Sequence, residues 1–133
     1  MAEPKVIMIS SDLDIVAARM VARDTARALG FGAIDQARIA TAISELARNI
    51  YLYAGEGCVT VKEATNGLRR GIEVVCEDQG PGIADISLVM QDGYTSSKGM
   101  GMGLPGAKRL MDEFEITSKV GVGTKVTCRK WAR

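Results

Sequence analysis

The chain has 133 residues, 47% of them apolar, and 17 basic against 16 acidic side chains leave a formal charge of +1. That is the size of one domain, spanning residues 1–133, with enough apolar content for a real core. Its charge is too balanced for a nucleic-acid or membrane-surface footprint. No histidine is present, which excludes His-paired nucleophiles, phosphohistidine relays within the chain and His-ligated metals, so any general base is a carboxylate or a lysine.

Cys58, Cys76 and Cys128 are odd in number, far apart and set in strand-like segments. They argue against a disulfide framework or a zinc site and for a reducing compartment. The N-terminus lacks the pattern of a secretory signal, and no apolar run approaches the roughly 20 residues a bilayer span needs. The chain reads as cytoplasmic, with no membrane and no nucleic acid among its partners.

In chain order, KVIMI (Lys5 to Ile9) reads as a short strand. Ser10, Ser11 and Asp12 can cap a helix running from Leu13 to Leu29, whose buried side is expected to carry Leu13, Val16, Ala17, Met20 and Val21. Gly30 suits its C-terminal end. A second helix, Ile34 to Tyr53, carries the apolar stripe Ile39, Ile43, Leu46 and Ile50. CVTVKEA and GIEVVCED alternate as strands about an Asn66-Gly67 hairpin turn. From Gly80 to Gly103 the chain is glycine-rich, interrupted only by the helix-like ISLVMQ, and irregular chain of that length points to function or mobility. A third helix is expected over Leu104 to Glu113, where Pro105 fits the first turn. Two strands follow, one with Phe114, Ile116, Ser118 and Val120 on a shared face, the other, after GVG, with Thr124, Val126 and Cys128. Hairpin-connected strands that outnumber the helices predict an α+β fold, a two-layer α/β sandwich with helices on one face of a mixed, mostly antiparallel sheet.

Three constellations carry chemistry. In SELARN, Glu45 and Asn49 stand one helical turn apart at the border of the apolar stripe. A solvated helix surface accounts for such a pair; so does an Asn oxygen serving Mg²⁺ beside a carboxylate that takes a proton from an attacking hydroxyl. In EDQGPG, the period of two turns Asp78 toward the core with Ile72, Val74 and Cys76. A carboxylate there needs a partner, and the exocyclic amine of adenine supplies a donor where guanine presents a carbonyl oxygen. Gly80 and Gly82 would let the backbone approach a flat base, with Ile83 beside it; an acidic turn is the plainer account of the hexamer. In GMGMGLPG, Gly99, Gly101 and Gly103 expose backbone N–H groups ahead of a helix start, a phosphate-binding arrangement. GMGLPG matches G-x-G-x-x-G, but GYTSSK before it is no buried strand and no acid follows at the dinucleotide-binding spacing; the GK[ST] ending of a P-loop is missing too. Individually these motifs are weak, and their order is the signal: an acid and an Asn on a helix, strand-Asp-x-Gly-x-Gly, a glycine-rich helix start, and a Gly-Thr in the last hairpin. Across adjacent strands Asp78 and Thr124 can meet, with Asn49 and the Gly99 loop on opposite sides of a triphosphate.

On SELARN, EDQGPGI, GMGMGL and GVGTKV the sequence resembles the GHKL nucleotide-binding superfamily of gyrase-type ATPases and histidine kinases. That resemblance implies the Bergerat ATP fold, with ATP and Mg²⁺. ATAISELARNIYLYAG, GLPGAKRLMDEF and the terminal KWAR extend it over essentially the whole chain to the stressosome switch kinases, serine/threonine kinases of the anti-sigma-factor kinase group. By position it implies Glu45 as catalytic base, Asn49 as magnesium ligand, Asp78 as adenine reader, Gly80, Gly82, Gly99, Gly101 and Gly103 as nucleotide-loop glycines with Leu104 following, and Thr124 near the adenine. Lys98 stands where it can approach the terminal phosphate or remain a solvated lysine. Asp92 to Met102 is the expected lid. The implied partners are STAS-domain stressosome proteins as substrates and a PP2C-type phosphatase that the released kinase activates. ATP-modulated sequestration of a regulator without phosphotransfer is the alternative.

Overall fold

The computed structural model describes residues 3–91 and 103–132. The elements are β1 (Lys5–Ile9), α1 (Asp12–Ala28), α2 (Ala33–Ala54), β2 (Gly57–Asn66), β3 (Arg69–Asp78), α3 (Ile86–Val89), α4 (Gly103–Leu110), β4 (Glu113–Lys119) and β5 (Gly123–Trp131). One five-stranded sheet has the order β1-β2-β3-β5-β4. Each neighbouring pair in it is antiparallel, the limiting case of the mostly antiparallel sheet expected.

The core follows from the two periods in the sequence. Val59 and Val61 of β2, Ile72, Val74 and Cys76 of β3, and Val126 and Cys128 of β5 point to the helical layer and are buried. They meet the α2 stripe Ile39, Ile43, Leu46 and Ile50. In β3 this alternation carries on to Asp78, and in β5 it begins at Thr124, its register partner. Gly123 makes that junction possible: its φ is 149°, and a Cβ there would stand 2.1 Å from the carbonyl oxygen of Asp78.

Four local expectations are corrected. The buried side of α1 is Ile15, Ala18, Ala22 and Ala26, whereas Leu13, Val16 and Met20 are 79%, 39% and 57% exposed. Small alanines let the helix lie close on α2 and the sheet, and that fit outweighed the larger residues. Ser11 is the N-cap residue but makes no side-chain cap bond. Asp14 instead reaches back to accept from the backbone N–H of Ser10 at 2.9 Å and from its hydroxyl at 3.2 Å, and these bonds hold its carboxyl below the usual range. Helix α4 stops at Leu110 because the sheet claims the next residues: Asp112 N donates to Arg129 O, its carboxylate accepts from Trp131 N, and Lys130 Nζ donates to the Leu110 carbonyl. Val120 lies beyond the end of β4, 64% exposed.

The sheet face away from the helices carries a charge ladder. Glu73 is paired with Lys62 at 2.9 Å and Arg129 at 2.8 Å, and Arg129 also holds Glu113 at 3.1 Å. Burial pushes the Glu73 carboxyl up, but the two cations outweigh it and hold the group below its ordinary value.

Candidate functional site

A cavity of about 420 Å³ opens between the middle of α2, the ends of β3 and β5, the 79–85 loop and the start of α4. Glu45, Asn49, Asp78, Gly82, Ile83, Gly103, Leu104 and Thr124 all line it, so residues spread over 80 positions of sequence converge on one space. Its size is that of a small-molecule site. Leu46, Cys76 and Val126 contribute apolar floor, and burial pushes the Cys76 thiol well above its ordinary value, so it stays uncharged.

One end of the cavity is built on the sheet. Asp78 accepts the Gly80 backbone N–H on Oδ1 at 2.9 Å, a turn that fixes the carboxylate and leaves its second oxygen without a partner among the described residues. Gly80 does not itself line the cavity; a Cβ there would stand 2.6 Å from the Cβ of Ala54 on α2. Gly82, at φ 76°, would bring a Cβ to 2.3 Å from the Lys119 carbonyl oxygen. The closest constraint on both glycines is therefore protein packing, which seats the loop against α2 and the β4–β5 turn. The N–H of Ile83 donates to Ser118 Oγ at 2.7 Å, and the same hydroxyl lies 3.0 Å from Gly123 O and 2.8 Å from Thr124 Oγ1.

The other end is built on α2. Glu45 and Asn49 share a face, one turn apart. The Glu45 side chain is only 12% exposed, and each oxygen has one donor: Oε1 accepts from Arg48 Nη1 at 3.1 Å and Oε2 from Gly103 N at 3.3 Å. A carboxylate has about four acceptor positions, so Glu45 keeps capacity to take another proton donor. The Asn49 carboxamide has no hydrogen-bond partner among the described residues. Those residues hold no group of three or more acidic, histidine or cysteine side chains set to bind a metal. A cation here would need oxygens from its ligand and from water, the habit of Mg²⁺, beside the single neutral oxygen of Asn49. Lys98, Gly99, Gly101 and the expected lid from Asp92 to Met102 lie outside the described residues.

Two contributors went unread in the sequence, Ser118 and Arg48. Ser118 continues the core-facing alternation of Phe114 and Ile116, and a hydroxyl ending an apolar strand face is its signal. Arg48 follows Glu45 by three residues, the spacing of a helical ion pair.

Residues 9–130 match the model of the histidine kinase-like ATPase domain family. The chain is 53% identical over 133 residues to the serine/threonine-protein kinase RsbT of Bacillus subtilis (strain 168), covering 100% of both chains. It is 37% identical over 101 residues to the anti-sigma F factor of Thermoanaerobacter sp. (strain X514), covering 71% of this chain and 69% of the relative. Among solved structures, the RsbU and RsbW domains of a Mycobacterium tuberculosis protein superpose with a TM-score of 0.68 at 19% identity over 99% of this chain, which spans 33% of that one. The mycobacterial sensor histidine kinase MprB gives 0.58 at 18% identity, covering 100% of this chain and 99% of the other. At such identities these two likenesses speak for the fold alone.

Proposed function

The chain belongs to the histidine kinase-like ATPase domain family, and from that premise we propose that it transfers the γ-phosphate of ATP to serine or threonine hydroxyls of STAS-domain antagonist proteins in the stressosome. It is an ATP-dependent serine/threonine kinase, working as one cytoplasmic unit over residues 1–133. Once released from the complex, it binds and activates a PP2C-type phosphatase of the stress-response pathway.

The observation that carries this reading is the shared cavity: Asp78 and Thr124 at one end, Glu45 and Asn49 at the other. The unpartnered oxygen of Asp78 accepts from the amine of the purine. Gly82 and Ile83 wall the base. By the family resemblance Lys98, Gly99, Gly101 and Gly103 are assigned to the phosphates, with Leu104 lining the same side of the cavity. Asn49 would hold Mg²⁺, which supplies charge neutralisation on the phosphates when bound with ATP. Glu45 takes the proton of the attacking hydroxyl, while Arg48 and the Gly103 N–H fix its orientation. Positioning and electrostatics supply most of the acceleration in such transfers.

The test is incubation with MgATP and a purified STAS-domain protein, followed by mapping of the phosphorylated residue. The 37% identity to an anti-sigma F factor favours a second reading, ATP-modulated sequestration of a regulator. A partner that binds stably yet stays unlabelled would select it. Asn49→Ala should weaken ATP binding in the presence of Mg²⁺ and change it little in EDTA.

A further inference from the structure

Ser118 makes three short contacts, and one proton assignment makes a hydrogen bond of all three at once. Its Oγ receives the Ile83 backbone N–H at 2.7 Å, and that group can only donate. Its Oγ also stands 3.0 Å from the Gly123 carbonyl oxygen, which can only accept, so the one hydroxyl hydrogen of Ser118 is spent there. The remaining contact, 2.8 Å to Thr124 Oγ1, then has Thr124 as its donor. Ser118 is saturated, with one hydrogen given and two lone pairs filled. Thr124 has spent its only hydrogen away from the cavity it lines, and among the described residues both its lone pairs are left over.

We propose that Ser118 is a specificity-positioning residue that locks the Thr124 hydroxyl as an acceptor, so that the base end of the cavity presents two acceptors, Asp78 and Thr124, and selects a purine bearing an exocyclic amine. Resting on the nucleotide reading above, the inference adds the device by which the site rejects a 6-oxo base. Asp78 and Thr124 are register partners on adjacent strands, close enough to face one edge of a ligand. A 6-amino purine offers two N–H hydrogens to that pair, directly or through water. A 6-oxo purine in the same pose sets a carbonyl oxygen where the amine donates, and its N1–H reaches the pair only if the base shifts, so repulsion is the selective element. A Thr124 hydroxyl free to rotate would erase half of the discrimination, because it could donate to the carbonyl.

The experiment measures the ratio of ATP to ITP dissociation constants by calorimetry. Ser118→Ala is expected to lower the discrimination about tenfold, equivalent to ~1.4 kcal/mol, chiefly through tighter ITP binding; Ser118→Thr, which keeps the hydroxyl, should leave it unchanged. Thr124→Val gives an independent sign test that leaves Ser118 in place. Losing an acceptor lowers the discrimination, whereas losing a donor would raise it. In the Thr124→Val background, Ser118→Ala should have no further effect. A ratio unmoved by Ser118→Ala in protein that still binds ATP, or a ratio raised by Thr124→Val, overturns the inference and leaves the nucleotide site standing. Wild-type protein that binds neither triphosphate overturns both.

Discussion

The two ends of the cavity are made in different ways. At the sheet end, short bonds tie Asp78 to Gly80 and Ser118 to Ile83, Gly123 and Thr124. Three glycines there are forced by a neighbour: Gly80 by Ala54, Gly82 by Lys119, Gly123 by Asp78. At the helix end, Glu45 is held by one long N–H bond and one partly exposed guanidinium, and Asn49 by no bond among the described residues. Recognition of a flat base rewards rigidity, since an ill-fitting ligand then leaves polar groups unpaired. Proton transfer to a side chain needs a carboxylate with spare acceptor capacity, and Glu45 retains it. The contrast predicts that changes at Glu45 and the groups that hold it alter rate, while changes at the sheet end alter affinity or the fold.

Glu45→Gln probes the helix end most severely. The amide keeps the shape but has one accepting oxygen where the carboxylate has two, so it holds only one of the two donors, and it cannot take a proton. Transfer should fall by about 10² to 10⁴, the span of general-base catalysis, with the ATP dissociation constant within about threefold of wild type; single-turnover kinetics beside calorimetry separates the two. Loss of affinity on the same scale as loss of rate would erase the division between the ends. On the sheet side, Gly82→Ala forces a Cβ into the left-handed region and within 2.3 Å of the Lys119 carbonyl, and a strained non-glycine residue costs on the order of 1–3 kcal/mol before any clash. A lower melting midpoint is expected, with ATP protecting less than in wild type. Asp78→Ala should weaken ATP about 10- to 100-fold, as expected for one charged hydrogen bond of roughly 1.5–3 kcal/mol, and leave the maximal rate at saturating ATP nearly intact.

Much of this contrast was legible in the sequence, and the reasons are local. Alternation in GIEVVCED places Asp78 on the core face because a pleat has no other option, and a four-residue spacing puts Glu45 and Asn49 on one face of a long helix. What escaped depended on competition between distant parts of the chain. Large residues on α1 suggested the buried face, but alanines at 18, 22 and 26 allowed closer packing. The end of α4 was settled by Arg129 and Trp131 of β5, which draw Asp112 into the sheet. Ser118 was read as one more position in an alternating strand because its value comes from Ile83, 35 residues upstream. Ser118 at the sheet end acquires its role through partners remote in sequence, while at the helix end Glu45, Arg48 and Asn49 stand within little more than one turn and only the Gly103 contact to Glu45 is remote.

Arg48 is the finest test of that difference. Its guanidinium is 41% exposed and bonds Glu45 three residues earlier, so the pair is a surface-type helical ion pair worth at most about 1 kcal/mol. If its work is to orient the carboxylate, Arg48→Ala should slow transfer about three- to fivefold at saturating ATP. The ATP dissociation constant should hold, because the base-reading set proposed at Asp78 shares no bond with Arg48. Arg48→Lys keeps the charge but loses the planar fork, and it should recover only part of the rate. Raising the ionic strength should narrow the gap between wild type and Arg48→Ala, since an exposed pair is screened within about 8–10 Å at physiological salt. A gap that persists in high salt, or an affinity that falls with the rate, would mean that Arg48 touches the nucleotide itself instead of acting through Glu45.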